Sequence, residues 1–566
     1  PVALPPSPAL HATPAFPRPA LAASRPRAPL GPDLSIHFIS RSPRYPRYCL
    51  DYSRDLPDLC AGSENDRHFP APGEPVTFTA RLANQGDEVA AATPFTWTLD
   101  GGVLATGHLA ALAAGETVDL TLPWLWQSGS HTLTLALAGE DREISRANNR
   151  LDSRTDAHYL EVLVHPYFVQ AFVQRQNLVG SYAFADWIQA QFAQLNQRLA
   201  AAVYPDLPAG LPDRVRIDTI LVTEAVGGDT VTGDLAFDGR WSFRPDKDLK
   251  RTPENEAWES AQRYAAHFAA GIDWGLIHEL GHQLGLIDLY QLNVSPSAGN
   301  LVHDGAGLPL LSGFYWPQSG LMGGDVSPAG ATYFSEHSAL ALAANSGFRR
   351  GYFGEYLYDL PAKIRVRVGD NAGRPLAGVH IAAFQTQRNV LQAAPVFQTI
   401  TGGDGVALLP NRPVSATLTT ATGHTLHDNP FGRVDVVGRN GQLLLHLRYG
   451  QQEAWRWLPI TDLNKAAWRG ETALRLDVDT LFSTAALPSP RLSLRTAGDQ
   501  ARLTWQPLAE AAAYNLYQAD WPRFDSFRLL AAGITTTTAS VALTTTARFA
   551  VAAVAGDGQE GPLSPP

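Results

Sequence analysis

The feature that most constrains this chain is a double switch in hydrophobic period. VTFTARLANQG (76–86), FTWTLDGG (95–102), VDLTLPWLW (118–126) and HTLTLALAG (131–139) alternate apolar and polar residues with period two. Each segment is bounded by Gly, Asn or Pro, the pattern of half-buried strands in a sandwich. In FADWIQAQFAQLNQRLAAAVY (184–204) the apolar residues Ile188, Phe192, Leu195 and Leu199 recur at three and four, which predicts one buried helix face. PENEAWESAQRYAAHFAAG (253–271) predicts a second helix, with Pro253 and Glu254 at its start. Between them, VRIDTILVT (215–223) reads as a buried strand and RWSF as an edge segment. Period two resumes at KIRVRVGDNAGRPLAGVHIAAFQTQ (363–387). The fold class expected is therefore multidomain, an alpha/beta (alpha+beta) domain flanked by all-beta immunoglobulin-like sandwiches.

Length and composition agree. At 566 residues the chain is too long for one core. Charged residues make up only 17%, against 48 Gly and 42 Pro, which favours turn-rich beta modules over helical bundles. The boundaries read as a Pro/Ala-rich segment 1–31, a sandwich 32–165, an alpha/beta domain 166–358, a beta domain 359–484 and a sandwich 488–566. Net charge is −10 with no basic cluster, so no nucleic-acid partner is expected. No apolar run is long enough to span a membrane. The chain starts at Pro1 without Met, as though a signal peptide had been removed or the sequence cut there. Cys49 and Cys60 are the two cysteines, a spacing that fits one short-loop disulfide made in an oxidising compartment. The expected location is extracellular, free or at a cell surface, and the expected state a monomer.

Chemistry concentrates in HELGHQLGLID (278–288). On a helix, His278 and His282 lie one turn apart on one face, as two imidazoles must to reach one zinc ion. Glu279 lies beside them, placed to take a proton from a metal-held water. Gly285 can end the helix in the left-handed conformation, turning the chain so that Asp288 arrives as a third, oxygen ligand. At this composition HExxH arises by chance in about one chain in fifty, and the added Gly and Asp lower that to about one in ten thousand. The single methionine, Met322, stands among glycines in SGLMGGDVS, suited to a turn.

HExxHxxGxxD resembles the metzincin-like signature with Asp in place of the last His. It is similar to snapalysin-like enzymes and to the immune-inhibitor-A family of secreted metalloproteases, whose likeness extends at most to the region around the motif. The resemblance implies a zinc endopeptidase with His278, His282 and Asp288 as ligands, Glu279 as general base and acid, and Met322 as the Met-turn. An Asp ligand adds a negative charge, so activity is expected to peak at neutral to mildly alkaline pH. Lesser candidates are Tyr333, His303 and His337, as oxyanion donors or auxiliary ligands, and the Asp-rich segment 229–238, as a Ca2+ site. The latter segment also offers an edge on which an extended peptide would pair. For each of these a core, capping or solvated role competes.

The flanks carry their own resemblances. PDL at the first strand, Asn84-Gln85-Gly86, Leu99-Asp100-Gly101, AAGE (113–116) and Asn148-Asn149 resemble the CARDB family of adhesion-type modules, with the cysteine loop as an insertion. Asp370, Gly373 to Val379 and Asp404-Gly405 resemble carboxypeptidase-regulatory-like or CnaB-like sandwiches. Trp505, Tyr514 and ARFAVAAVAGDGQEG resemble a fibronectin type III domain. The implied partners are protein or peptide substrates, including glycoproteins or matrix. Competing expectations are a catalytically silent surface adhesin built on a protease-like domain, and a metal-dependent hydrolase of a non-peptide bond.

Overall fold

The computed structural model describes residues 31–44, 69–224, 237–244, 254–295, 319–324, 332–344, 355–414, 428–435, 437–520, 527–543 and 547–564. Strand occupies 41% and helix 18%, so the turn-rich, charge-poor composition does produce a beta-dominated molecule. Among the described residues no helix is long and apolar enough to cross a membrane.

The N-terminal module pairs two sheets. Strands Leu34–Ser42, Pro75–Asn84 and Thr117–Leu125 form one; Gly102–Leu109, Thr93–Leu99, Thr132–Leu137 and Arg150–Arg154 form the other. Alternate residues such as Phe78, Ala80, Leu82, Trp97 and Leu135 point into a shared core, as period two requires. The hairpin at Asp100-Gly101 takes positive φ at both residues (49° and 83°), the turn whose twist matches the strands it joins. Cys49 and Cys60 lie outside the described residues.

The next strand corrects the expected boundary at 165. His158–Val164 is not a sandwich strand but the middle of a parallel sheet, between Gly239–Phe243 and Val215–Val222. Its residues are buried almost without alternation, which is what coverage on both faces by helices demands. The helix Phe184–Ala200 packs on this sheet, burying Ile188, Phe192, Leu195 and Leu199 as its spacing predicts. Helices Pro166–Val173, Glu254–Phe268, Trp274–Gln283 and Glu336–Ala344 complete the region.

Polar contacts fix the N-terminal module on this region. Asp186, buried on the helix Phe184–Ala200, accepts hydrogen bonds from Ser35 Oγ, Gln85 Nε2 (2.9 Å) and Asn148 Nδ2 (2.9 Å). Three donors on one carboxylate offset much of its desolvation. Burial meanwhile raises the neighbouring Asp33 carboxyl to about 7. Gln85 and Asn148 are thus both module cues and docking residues.

Beyond residue 358 the hydrophobic core continues without a break. Leu357, Ile364, Val366, Leu443, Ile460 and Phe482 belong to the same packed cluster as Leu280 and Met322. This third module has one sheet ordered Val406–Leu408, Lys363–Gly369, Ala473–Asp479. A second holds His380–Gln387, Gln442–Tyr449 and Gln452–Pro459, and the helix Ile460–Trp468 follows it. The C-terminal sandwich, with sheets of three and four strands, packs Trp505 against Tyr514 at 5.6 Å between ring centroids.

Candidate metal centre

The helix Trp274–Gln283 is set at both ends. Asp273 caps its start, its Oδ1 accepting from Leu276 N (3.0 Å) while Oδ2 accepts from Tyr264 Oη (2.6 Å). Gly285, at φ 101°, ends it: Gly285 N donates to His282 O (2.8 Å) and Leu286 N to Gly281 O (3.1 Å). This is the paired C-terminal closure that a residue with no Cβ allows. It also folds the Leu286 carbonyl back onto His282 Nδ1 at 2.8 Å.

His278 Nδ1 faces the carbonyl of Leu321 at 2.6 Å. Both imidazoles therefore present Nδ1 to an acceptor, which makes Nδ1 the protonated nitrogen in each and aims Nε2 inward. Asp288 Oδ1 lies 3.0 Å from His278 Nε2 and 3.1 Å from His282 Nε2. Asp288 caps the short helix Leu289–Leu292 without using its side chain for the purpose, so the carboxylate is available to the histidines.

Two neutral imidazoles cannot turn lone pairs toward a carboxylate oxygen without repulsion. Only protonation of Nε2 or a cation among the three groups resolves the conflict. Ligands held at 2.0–2.1 Å around a tetrahedral zinc ion lie about 3.3 Å apart. The observed spacings need to open by only about 0.3 Å, so the donor set fits zinc. Side-chain exposures of 7%, 11% and 5% for His278, His282 and Asp288 show all three groups largely withdrawn from bulk solvent. Burial alone would lower the His278 pKa; its contacts with Asp288 and the Leu321 carbonyl outweigh that and raise it.

Glu279 occupies the open side. Its carboxylate is 3.9 Å from His282 Nε2 and its side chain is 56% exposed. The ligand atoms of His278, Glu279 and His282 lie within 4.8 Å of one another, and Asp288 is nearer to both imidazoles than Glu279 is. Glu279, grouped with the two histidines within 4.8 Å, and Asp288, 3.0 and 3.1 Å from their Nε2 atoms, are thus both candidates to complete a donor set, and Asp288 is the nearer.

Met322 lies in the turn Leu321–Gly323, between Gly320 (φ 89°) and Gly324 (φ 93°). A Cβ built on Gly281 would meet Met322 Sδ at 2.7 Å, so helix and turn touch because residue 281 is glycine. Gly281→Ala would gain about 1 kcal/mol in helix propensity and lose about 1–3 in overpacking. Net destabilisation of about 1 kcal/mol is expected, measurable as a lower denaturation midpoint.

The other candidates fall elsewhere. Tyr333 is 41% exposed; its hydroxyl pairs with Ser319 Oγ (2.7 Å) and its carbonyl accepts from Leu321 N (2.8 Å). It thus braces the Met322 turn through its backbone, and core packing of its ring is excluded. His337 is not brought to the site: it is buried against Tyr356 and Trp468, with Nε2 3.3 Å from Asn464 Oδ1. Burial lowers its pKa to about 3. His303 lies outside the described residues, as does most of segment 229–238; Asp238, which is described, is buried and accepts from Tyr159 N (3.0 Å).

Spacing arguments passed over Tyr290. Its ring lies parallel to the His278 imidazole (6.1 Å, 17°) and is 38% exposed, so it stands between this histidine and solvent at one edge. Its place two residues after Asp288 was the available signal.

Comparison with known proteins reaches the flanking modules. Residues 56–151 match the CARDB family model, a narrower span than the 32–165 expected. No curated protein matches the chain. A CARDB domain from Pyrococcus furiosus, solved with two metal ions, is 14% identical over 22% of this chain and 86% of that one, with a TM-score of 0.16. An Fn3-like protein from Clostridium thermocellum is 28% identical over 14% of this chain and 88% of that one (TM-score 0.13). A β-glucuronidase from Bacteroides uniformis is 10% identical over 91% of this chain and 79% of that one (TM-score 0.15). The family match therefore places a CARDB-like domain at residues 56–151.

Proposed function

We propose that the chain is an extracellular zinc-dependent endopeptidase, its helical region catalytic and metzincin-like. The observation that carries this reading is the convergence of two inward-facing Nε2 atoms on one Asp288 oxygen, at 3.0 and 3.1 Å. When bound, zinc supplies Lewis acidity, acidifying water and polarising a carbonyl. Glu279, on the solvent side, accepts a proton from the attacking water as its oxygen bonds to the peptide carbon. It then delivers that proton to the leaving nitrogen as the C–N bond breaks. The buried ligand side excludes bulk water, and Tyr290 borders the space a substrate chain would enter.

The flanking sandwiches are proposed to hold substrate or surface partners, and the CARDB domain supports a location outside the cell. The test is one zinc per purified chain, coupled to cleavage of casein or gelatin that a chelator stops and zinc restores. Bound zinc with cleavage of small esters alone would redirect the reading to a non-peptide bond. A chain without zinc that still binds surface ligands would favour the adhesin.

A further inference from the structure

Just past Asp288 the chain is gripped by the third module. Between strands His380–Gln387 and Val390–Leu391 a two-residue hairpin places Arg388 (φ 50°) and Asn389 (φ 68°) in the left-handed region. Asn389 Nδ2 donates to the carbonyls of Gln291 and Asn293, the latter at 2.8 Å, and Asn389 O accepts from Ser295 N (2.8 Å). A single side chain thus closes around the turn that starts at Asp288. Leu292 is seated at the same point: a Cβ on Gly441 would meet its Cδ2 at 2.8 Å, and one on Gly438 at 3.2 Å.

The other side of the ligand is held as well. Ile287 N donates to Tyr356 Oη at 2.9 Å, and this buried ring packs against both His337 and Trp468. Asn464, on the helix Ile460–Trp468, donates to the carbonyls of Tyr356 (3.3 Å), Leu357 (3.1 Å) and Asp359 (2.9 Å). Asp288 therefore lies on a short segment tied at residue 287 and again at 291, 293 and 295. Both ties depend on the third module.

We infer that Asn389 and Tyr356 are positioning residues of the metal centre, and that the third module is a working part of the catalytic unit rather than a spacer. The inference rests on the zinc reading of the His278, His282 and Asp288 site. The physical reason is that a carboxylate on a loop finds two imidazoles only if its backbone is fixed, and partners behind a ligand commonly set 10–100-fold in metal affinity.

The test uses the full chain and zinc alone, with affinity measured by competition against a chromophoric chelator. Asn389→Gly keeps the left-handed turn and deletes only the side-chain bonds; Asn389→Asp sets a carboxylate against two carbonyls. Tyr356→Phe removes the acceptor of Ile287 N. Zinc affinity is expected to fall about 10–100-fold in Asn389→Gly and further in Asn389→Asp, with a fall in Tyr356→Phe too. The visible spectrum of bound Co2+ should change with each. Arg388→Gly, at the neighbouring turn position, should match the unmodified chain.

If the unmodified chain binds no zinc, the functional reading fails. If it binds zinc and the Asn389 and Tyr356 variants bind it equally well with an unchanged Co2+ spectrum, only the positioning role fails. Loss of the folded state in all three variants, read by circular dichroism, would also overturn that role, since the contacts would then serve the fold at large.

Discussion

Glu279→Ala is expected to lower peptide hydrolysis by about 10²–10⁴-fold while zinc stays bound. The carboxylate is more than half exposed and farther from the imidazoles than Asp288 is, so its removal costs the ligand cluster little. Alanine is also the better helix former, which leaves the helix Trp274–Gln283 intact. What disappears is the group that moves protons between water and the leaving nitrogen. Glu279→Gln, of the same shape but unable to act as base, should lose as much. The measurements are kcat/KM on an unfolded protein substrate and zinc content by mass spectrometry. Unchanged hydrolysis would sink the mechanism; lost zinc would make Glu279 a ligand.

Asp288→Ala is expected to weaken zinc retention by at least about 100-fold, beyond what partners behind a ligand usually contribute. It deletes the oxygen that both Nε2 atoms face and leaves two buried imidazoles around a gap. The pH dependence should shift with it. In the metal-free protein the raised His278 pKa contributes stability that is fully present below the ordinary value of 6.5 and lost as pH rises through the folded value. Protons and zinc compete for the same nitrogen, so zinc retention should begin to fall on the alkaline side of 6.5 as pH drops. Removing Asp288 removes the largest influence raising that pKa. The variant should hold zinc weakly yet lose it over a more acidic range. Competition titrations at a series of pH values measure both; a variant with unchanged affinity would exclude Asp288 as the third ligand.

Local features were legible wherever their cause is local. Ile188, Phe192, Leu195 and Leu199 are buried together because a helix repeats every 3.6 residues, whatever packs against it. Gly285 ends its helix because a left-handed φ favours a residue without Cβ. Strand His158–Val164 was placed in the wrong layer because its neighbours at 215–222 and 239–243 lie tens of residues away, and an apolar run does not say what will cover it. The support that Tyr333 gives the Met322 turn is illegible for a related reason: it comes from the backbone, and backbone roles leave no mark on side-chain identity.

By itself the sequence determined which side chains could meet, since His278 and His282 share a helix face by periodicity and Gly285 returns the chain toward them within a few residues. Only the tertiary structure decided how those donors are aimed. The carbonyl of Leu321, 43 residues from His278, selects its tautomer, and Asn389, 98 residues from Gln291, grips the turn that carries Asp288. Such contacts join residues with no shared local period, so they exist only once the modules have packed around one continuous core.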